Sequence, residues 1–223
     1  MEYYLFIFAI IAVLLVILLF KILKPNQDKQ AQRSLDEYKN RKLSNEEIGR
    51  LYERYIGYLY EEEGYKVEYN GALNGSADMG RDLIVSATDE VFIIQTKRWA
   101  NYKVVHEKEI FQLYGSMMHY KFSSYDRNKK IKAVFYTSAK YSDVAREVAR
   151  VLRVELRNQK LDNSYPMIKC NVRPSGDKFY YLPFDPEYDK VKIEPNKGDF
   201  FAQTVHEAVA QGFRRTDNYS NVA

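Results

Sequence analysis

An aspartate followed along the chain by a Gln-x-Lys triplet, here Asp82, Gln95 and Lys97, is a set of side chains suited to holding a hard cation beside an ammonium group. Hydrolysis of a phosphodiester needs such a set: an anionic cage for one or two cations, a deprotonated water in line with the leaving oxygen, and positive charge near the oxygens that gain negative charge. In a strand, Gln95 and Lys97 point to one face because side chains alternate, and Asp82 on a neighbouring strand can aim at that face too. The cation would then be held by the Asp82 carboxylate, the Gln95 amide oxygen and the backbone carbonyl of Thr96, while Lys97 orients or helps deprotonate the water. Glu53, on the flank of an upstream helix, could reach the same centre and supply the negative charge that Gln95 lacks. Taken bare, the pattern is a weak signal, since a surface hairpin with an exposed Asp, Gln and Lys is its usual explanation.

The elements that must position these residues are legible from periodicity. Ser44 and Glu47 have capping-box spacing, and Ile48, Leu51, Tyr52, Tyr55, Ile56, Leu59 and Tyr60 recur behind them at helical period, with Gly64 closing the helix. Three strand-like stretches follow, Lys66–Tyr69, Arg81–Ala87 and Val91–Lys97, the last two joined by a short acidic turn. Residues 105–121 return to helical spacing, Lys132–Ser138 reads as a buried strand, and Asp143–Leu152 reads as a helix. The order αβββαβα implies an α/β domain, a mixed sheet flanked by helices, rather than a bundle or a sandwich.

The motifs in this order resemble the Mrr-type branch of the PD-(D/E)xK nucleases, in which Gln replaces the second acid. LYERYIGYLYEEEGYKVEY stands for the opening helix and first strand, SADMGRDLIV for the D-x-G-x-D strand, VFIIQTKRW for the Q-x-K strand, and AVFYTSAKYSDVAREVA for the late strand and helix. The resemblance covers about residues 44–157. It implies a restriction-endonuclease-like fold and Mg²⁺-dependent cleavage of DNA, with Mn²⁺ as a substitute cation and a homodimer as one mode of assembly. Matched by motif, Asp82, Gln95 and Lys97 carry over as catalytic residues, Glu53 joins them, and Asp82, Gln95, Thr96 and Glu53 are the metal ligands. Asp78 fits a turn-shaping role with Gly80 better than a ligand role. Arg81 departs from the apolar residue usual before the second Asp, which bears on phosphate contacts.

Composition limits the alternatives. Hydrophobic content of 46% and charged content of 29% suit a folded chain, and the single Cys170 excludes an internal disulfide and a cysteine-based zinc site. The formal charge of +4 is accounted for by residues 21–42, where seven basic residues face three acidic ones. DNA affinity must therefore come from local patches, Lys97, Arg98 and Lys103 or Arg127, Lys129, Lys130 and Lys132, rather than from a global field. His106, His119 and His206 have no ligand spacing, Tyr55-Ile56-Gly57 sits inside an amphipathic helix, and Trp99 suits packing at the core or rim better than stacking on a base.

Tyr3–Phe20 is an 18-residue run without charge or proline, extended by Ile22 and Leu23 past Lys21. At about 1.5 Å per residue such a helix roughly spans the ~30 Å hydrocarbon layer. With no basic residue before the apolar run and no small-residue cleavage site after it, the segment reads as an anchor in the lipid bilayer, not as a signal peptide. The basic residues that follow put the C-terminal bulk on the cytoplasmic side of the cell (inner) membrane. The expected organisation is an anchor at 1–23, a basic juxtamembrane linker or surface helix at 24–43, a catalytic domain at 44–162 and a small β-rich module at 163–218. That last module, with Lys169–Val172, Tyr180–Pro183 and Glu207–Arg214, resembles a small domain that closes some bacterial and phage nucleases and cell-surface proteins. It is expected as a separate small unit for substrate contact or positioning, leaning on the catalytic domain because about 50 residues make a marginal core of their own. The competing readings are a non-catalytic nucleic-acid-binding or membrane scaffold that keeps the nuclease fold, and a structural membrane protein.

Overall fold

The structure is a computed structural model that describes residues 11, 13, 15, 16, 27–71, 79–99, 103–124, 126 and 128–216. A helix α1 (27–40) precedes α2 (Asn45–Glu62). The start of α2 is fixed by its capping box: the Glu47 amide donates to the Ser44 hydroxyl, and the Ser44 amide donates to the Glu47 carboxylate at 2.8 Å. Both are first-turn donors that would otherwise lack partners. Leu51, Tyr52, Tyr55, Ile56 and Tyr60 then lie along one stripe of the helix and cover one face of a sheet.

That sheet has five strands in the order β1 (Lys66–Tyr69), β2 (Leu83–Ser86), β3 (Glu90–Lys97), β5 (Lys130–Thr137) and β7 (Glu155–Asn158). Two short strands, β4 (Val104–Val105) and β6 (Lys140–Tyr141), pair beside it. β1, β2 and β3 are antiparallel, while β3, β5 and β7 are parallel. Parallel neighbours need a crossover, made here by α3 (Glu107–Ser123) and α4 (Asp143–Leu152). Alternating strand residues supply both cores: Leu83, Val85, Phe92 and Ile94 pack under α2, and Ile84, Val91, Ile93 and Phe135 pack on the α3 and α4 side. Burial on both faces explains why these strands read as continuous apolar runs. β1 and α4 have the expected bounds, and the other expected elements of this domain differ by at most two residues at their ends, but β7 was not expected. Its sequence, Glu-Leu-Arg-Asn, has no apolar alternation and only its middle two residues are half-buried.

The C-terminal module is a second sheet in the order β10 (Phe200–Ala202), β8 (Ile168–Val172), β9 (Lys178–Tyr181) and β11 (Arg214–Arg215), covered by the short helix α5 (Val205–Ala210). It leans on α2. Arg54 of α2 makes a two-pronged ion pair with Asp189 at 2.8 and 2.7 Å, and Lys169 of β8 reaches Glu61 at the other end of α2. The expectation for residues 24–43, a linker or surface helix, likewise meets a helix integral to this module. Ala31 and Leu35 of α1 are buried in the module's core with Tyr180, Leu182 and Val205, and the Tyr180 hydroxyl donates to Asp28 at 3.0 Å.

Among the described residues no helix is long and apolar enough to cross a membrane. The membrane helix expected over residues 3–23 lies outside the described residues except at Ile11, Val13, Leu15 and Val16, which are helical and 49–58% exposed.

Candidate active site

Asp82 stands one residue before β2, where its amide still extends the ladder by donating to the Ile94 carbonyl at 2.9 Å. The β2–β3 register pairs Leu83 with Ile94, so Asp82 falls opposite Gln95. The Asp82 carboxylate is buried, 8% exposed, and one oxygen accepts from the Thr96 amide at 2.6 Å and the Thr96 hydroxyl at 3.1 Å. A carboxylate held by donors in this way stays oriented without needing a cation to fix it.

Peptide groups of β3 alternate in direction. The Ile94 carbonyl serves Asp82 on the β2 side, and the Lys97 carbonyl accepts from the Thr137 hydroxyl on the β5 side at 2.7 Å. A strand residue turns its N–H and C=O to the same neighbour, so the Thr96 carbonyl faces the Asp82 side. Gln95 is 2% exposed, and its Oε1 has no hydrogen-bond partner among the described residues. A buried amide oxygen left unpaired costs about 1–3 kcal/mol. A hard divalent cation takes carboxylate, amide and backbone carbonyl oxygens as ligands. The unpaired Gln95 oxygen, the fixed Asp82 carboxylate and the Thr96 carbonyl are therefore of the donor chemistry that such an ion takes.

The neighbouring chain is shaped to this cluster. Gly80 has φ +73, and a Cβ there would stand 3.0 Å from the side-chain nitrogen of Gln112 on α3 and 3.3 Å from that of Gln95. Only glycine meets both demands, a left-handed backbone and space for two amides. Across the cluster, a Cβ on Gly71 would lie 3.1 Å from the Glu53 carboxylate and 3.4 Å from the Asp82 Cα. Glu53 of α2 thus reaches the edge of the cluster. Lys97 is half-buried at the end of β3, and its ammonium makes no hydrogen bond or ion pair among the described residues. Asp82, Gln95, Thr96 and Lys97 are brought together, with Glu53 alongside, while Asp78 lies outside the described residues. Among the described residues no three His, Cys, Asp or Glu side chains form a metal cluster.

The basic patches differ. Lys132 pairs with Glu90 at 2.5 Å and Lys129 with Asp126 at 3.1 Å, at the end of the sheet away from Lys97. Arg98 makes no such pair among the described residues. Trp99 packs against the α3-side core, and the Lys103 ammonium lies 5.6 Å from its ring centre. The network sequence reasoning missed is Glu61–Tyr69–Lys169, whose members are far apart in sequence; its one visible trace was a Glu on the apolar side of the α2 pattern.

A family model described as restriction endonuclease, the Mrr catalytic domain, matches residues 45–161. No curated protein matches the chain. Among solved structures, the crystal structure of a protein of unknown function, AF1548, is 17% identical with a TM-score of 0.39, over 49% of this chain and 58% of that one. MspJI restriction endonuclease in complex with a 27-mer oligonucleotide is 14% identical with a TM-score of 0.35, over 50% of this chain and 24% of that one. The matched region thus spans a little over half of the first relative and a quarter of the second.

Proposed function

The chain belongs to the restriction-endonuclease family by its residues 45–161, and from that premise we propose that it is a Mg²⁺-dependent endodeoxyribonuclease held at the cytoplasmic face of a membrane. The observation that carries the metal dependence is the buried, unpaired Gln95 oxygen beside the oriented Asp82 carboxylate. Asp82, Gln95 and the Thr96 carbonyl would hold the ion, with Glu53 at its edge as a further ligand. When bound, the ion supplies Lewis-acid stabilisation of the phosphoryl oxygens and makes water easier to deprotonate.

The remaining steps belong to the chain's own groups. Lys97, with no partner among the described residues, has its ammonium available to a phosphate oxygen and to the attacking water. Held there, it orients that water and offsets charge on the phosphate as the bond to the leaving oxygen breaks. Thr96 keeps the Asp82 carboxylate in one orientation through two hydrogen bonds, so the cage costs little reorganisation. Membrane anchoring draws support from the uncharged run Tyr3–Phe20 and from the exposed apolar residues of the helical positions inside it.

Incubation of the purified full chain in detergent with supercoiled plasmid and with linear DNA tests the reading. Nicking or linearisation of plasmid in Mg²⁺ or Mn²⁺, abolished by chelator, is the expected result. Degradation of linear DNA alone would replace endonuclease with exonuclease. No cutting of either DNA by folded protein would favour the scaffold that keeps the fold.

A further inference from the structure

A cleft of about 320 Å³ opens where the end of α1, the turn into α2 and the connection after β7 meet, and Arg98, the residue after Lys97, completes its wall. Its floor is apolar, with Leu51 and Met167 buried and Ile48 half-buried. Its rim carries Lys39, Arg41 and Arg98, and no carboxylate lines it. Arg41 is engaged by Glu47 at 2.7 Å, whereas Lys39 and Arg98 make no hydrogen bond or ion pair among the described residues. Partial burial holds the Lys39 ammonium below its ordinary pKa, with Asp36 one turn earlier opposing the shift. An anion placed here would offset that desolvation.

The size is at the lower end of small-ligand pockets, which begin at about 300 Å³. Unpaired cations above an apolar floor suit a ligand that is anionic on one side and flat or apolar on the other. Paired DNA shows only phosphates and groove edges at its surface, because its bases are stacked inside. An unpaired nucleotide offers both a phosphate and a free base face. Lys97 and Arg98 are neighbours at the end of β3, with Cα atoms about 3.8 Å apart, but strand side chains alternate: Lys97 shares the face of Gln95, while Arg98 lines the cleft on the α2 side. A strand whose phosphate meets Lys97 therefore reaches Arg98 by crossing the end of the sheet. At the other end of the sheet, Lys129 and Lys132 are already paired with acids.

We propose that this cleft receives one unpaired nucleotide of the strand being cut, its phosphate against Arg98 and Lys39 and its base over the apolar floor. The preferred substrate then carries a single-stranded segment beside the scissile bond. The proposal rests on the nuclease reading of Lys97 and adds a substrate class to it.

The test is fluorescence anisotropy of the full chain in detergent with a labelled single strand, a blunt duplex and a duplex with a single-stranded overhang, Ca²⁺ replacing Mg²⁺ to suppress cutting. The single strand and the overhang duplex should bind several-fold more tightly than the blunt duplex. Arg98→Ala and Lys39→Ala should each weaken single-strand binding and reduce its log–log salt slope by about 0.7, the value for one phosphate contact on a single strand. Arg98→Lys, which keeps the charge, should retain most of that slope and so separates lost contact from local misfolding. Equal affinity for blunt and overhang duplexes, or an unchanged slope in both alanine variants, overturns the proposal. So does displacement of the single strand by phosphatidylglycerol vesicles but not by phosphatidylcholine vesicles, which would assign the cleft to an anionic lipid headgroup. The two readings fail separately. Loss of all metal-dependent cutting with Arg98-dependent single-strand binding intact removes the nuclease, whereas cutting without that binding removes the cleft.

Discussion

Replacing Lys169 with Met should destabilise the whole chain in a pH-dependent way. The Lys169 and Glu61 side chains are 1% and 0% exposed, with Nζ 3.4 Å from the Glu61 carboxylate and 2.8 Å from the Val191 carbonyl. The Tyr69 hydroxyl donates to the other Glu61 oxygen at 2.7 Å, the Ile193 amide donates at 3.2 Å, and the Tyr69 ring lies 4.2 Å from Nζ. Burial pushes the Glu61 carboxyl above its ordinary value, and Lys169 is the foremost group opposing that push. Removing one partner of such a buried pair costs about 3–5 kcal/mol, because the other charge is left without compensation. At roughly 2–4 °C per kcal/mol for a chain of this size, Tm should fall by about 10 °C.

The sign of the pH effect follows from Glu61. With its folded pKa raised further in the variant, the native state binds more protons than the unfolded chain above the ordinary value of 4.5. The loss is therefore smallest below that value and grows as pH rises through it toward neutral. Adding Glu61→Gln keeps an acceptor for Tyr69 and Ile193 but removes the stranded charge, so the double variant should recover most of the stability at neutral pH. Thermal unfolding followed by circular dichroism, on both sides of pH 4.5, measures all of this. A single-variant loss below about 1 kcal/mol near neutral pH, far short of the range for a broken buried pair, would refute the reasoning. So would a loss independent of pH, or no recovery in the double variant.

Gly57→Ala should destabilise by about 1–3 kcal/mol through overpacking, since a Cβ there would stand 2.5 Å from the Tyr69 ring and hydroxyl; chemical denaturation checks it, and no loss would mean that Tyr69 moves freely. Gln95→Glu should retain Mg²⁺-dependent cutting and lower the Mg²⁺ concentration needed for half-maximal rate, whereas Gln95→Ala should raise it; a Glu variant as impaired as the Ala variant would exclude the side-chain oxygen as a ligand. An alkaline-phosphatase fusion at the C-terminus should be inactive if residues 24–223 are cytoplasmic, and an active fusion would reverse the orientation.

Local signals carried the elements that hold the site. Ser44 and Glu47 announced the start of α2, and the span Asp143–Leu152 of α4 could be read directly because Ser142 caps it and its apolar spacing is regular. Gln95 and Lys97 lie on one strand, as the strand period suggests, with Gln95 opposite Asp82. Contacts distant in sequence were not legible. β7 is held by its pairing with β5 rather than by an apolar pattern, and α1 shows only a narrow stripe, Ala31, Leu35 and Tyr38, within a charged segment. The hydrogen bonds from Thr96 to Asp82, and the lack of a partner for Gln95 Oε1 among the described residues, depend on where β2 and β3 meet, which residue spacing does not specify.

The most direct test of the central claim compares cutting by the wild-type chain with that of Asp82→Ala and Lys97→Ala, each purified free of contaminating nuclease and shown to be folded. Each substitution should reduce Mg²⁺-dependent DNA cleavage by at least ~10²-fold, the scale of losing one positioned catalytic group. Asp82→Ala should also raise the Mg²⁺ requirement, while Lys97→Ala should mainly slow the reaction at saturating Mg²⁺. Mg²⁺-dependent cutting that survives both substitutions unchanged would contradict the account.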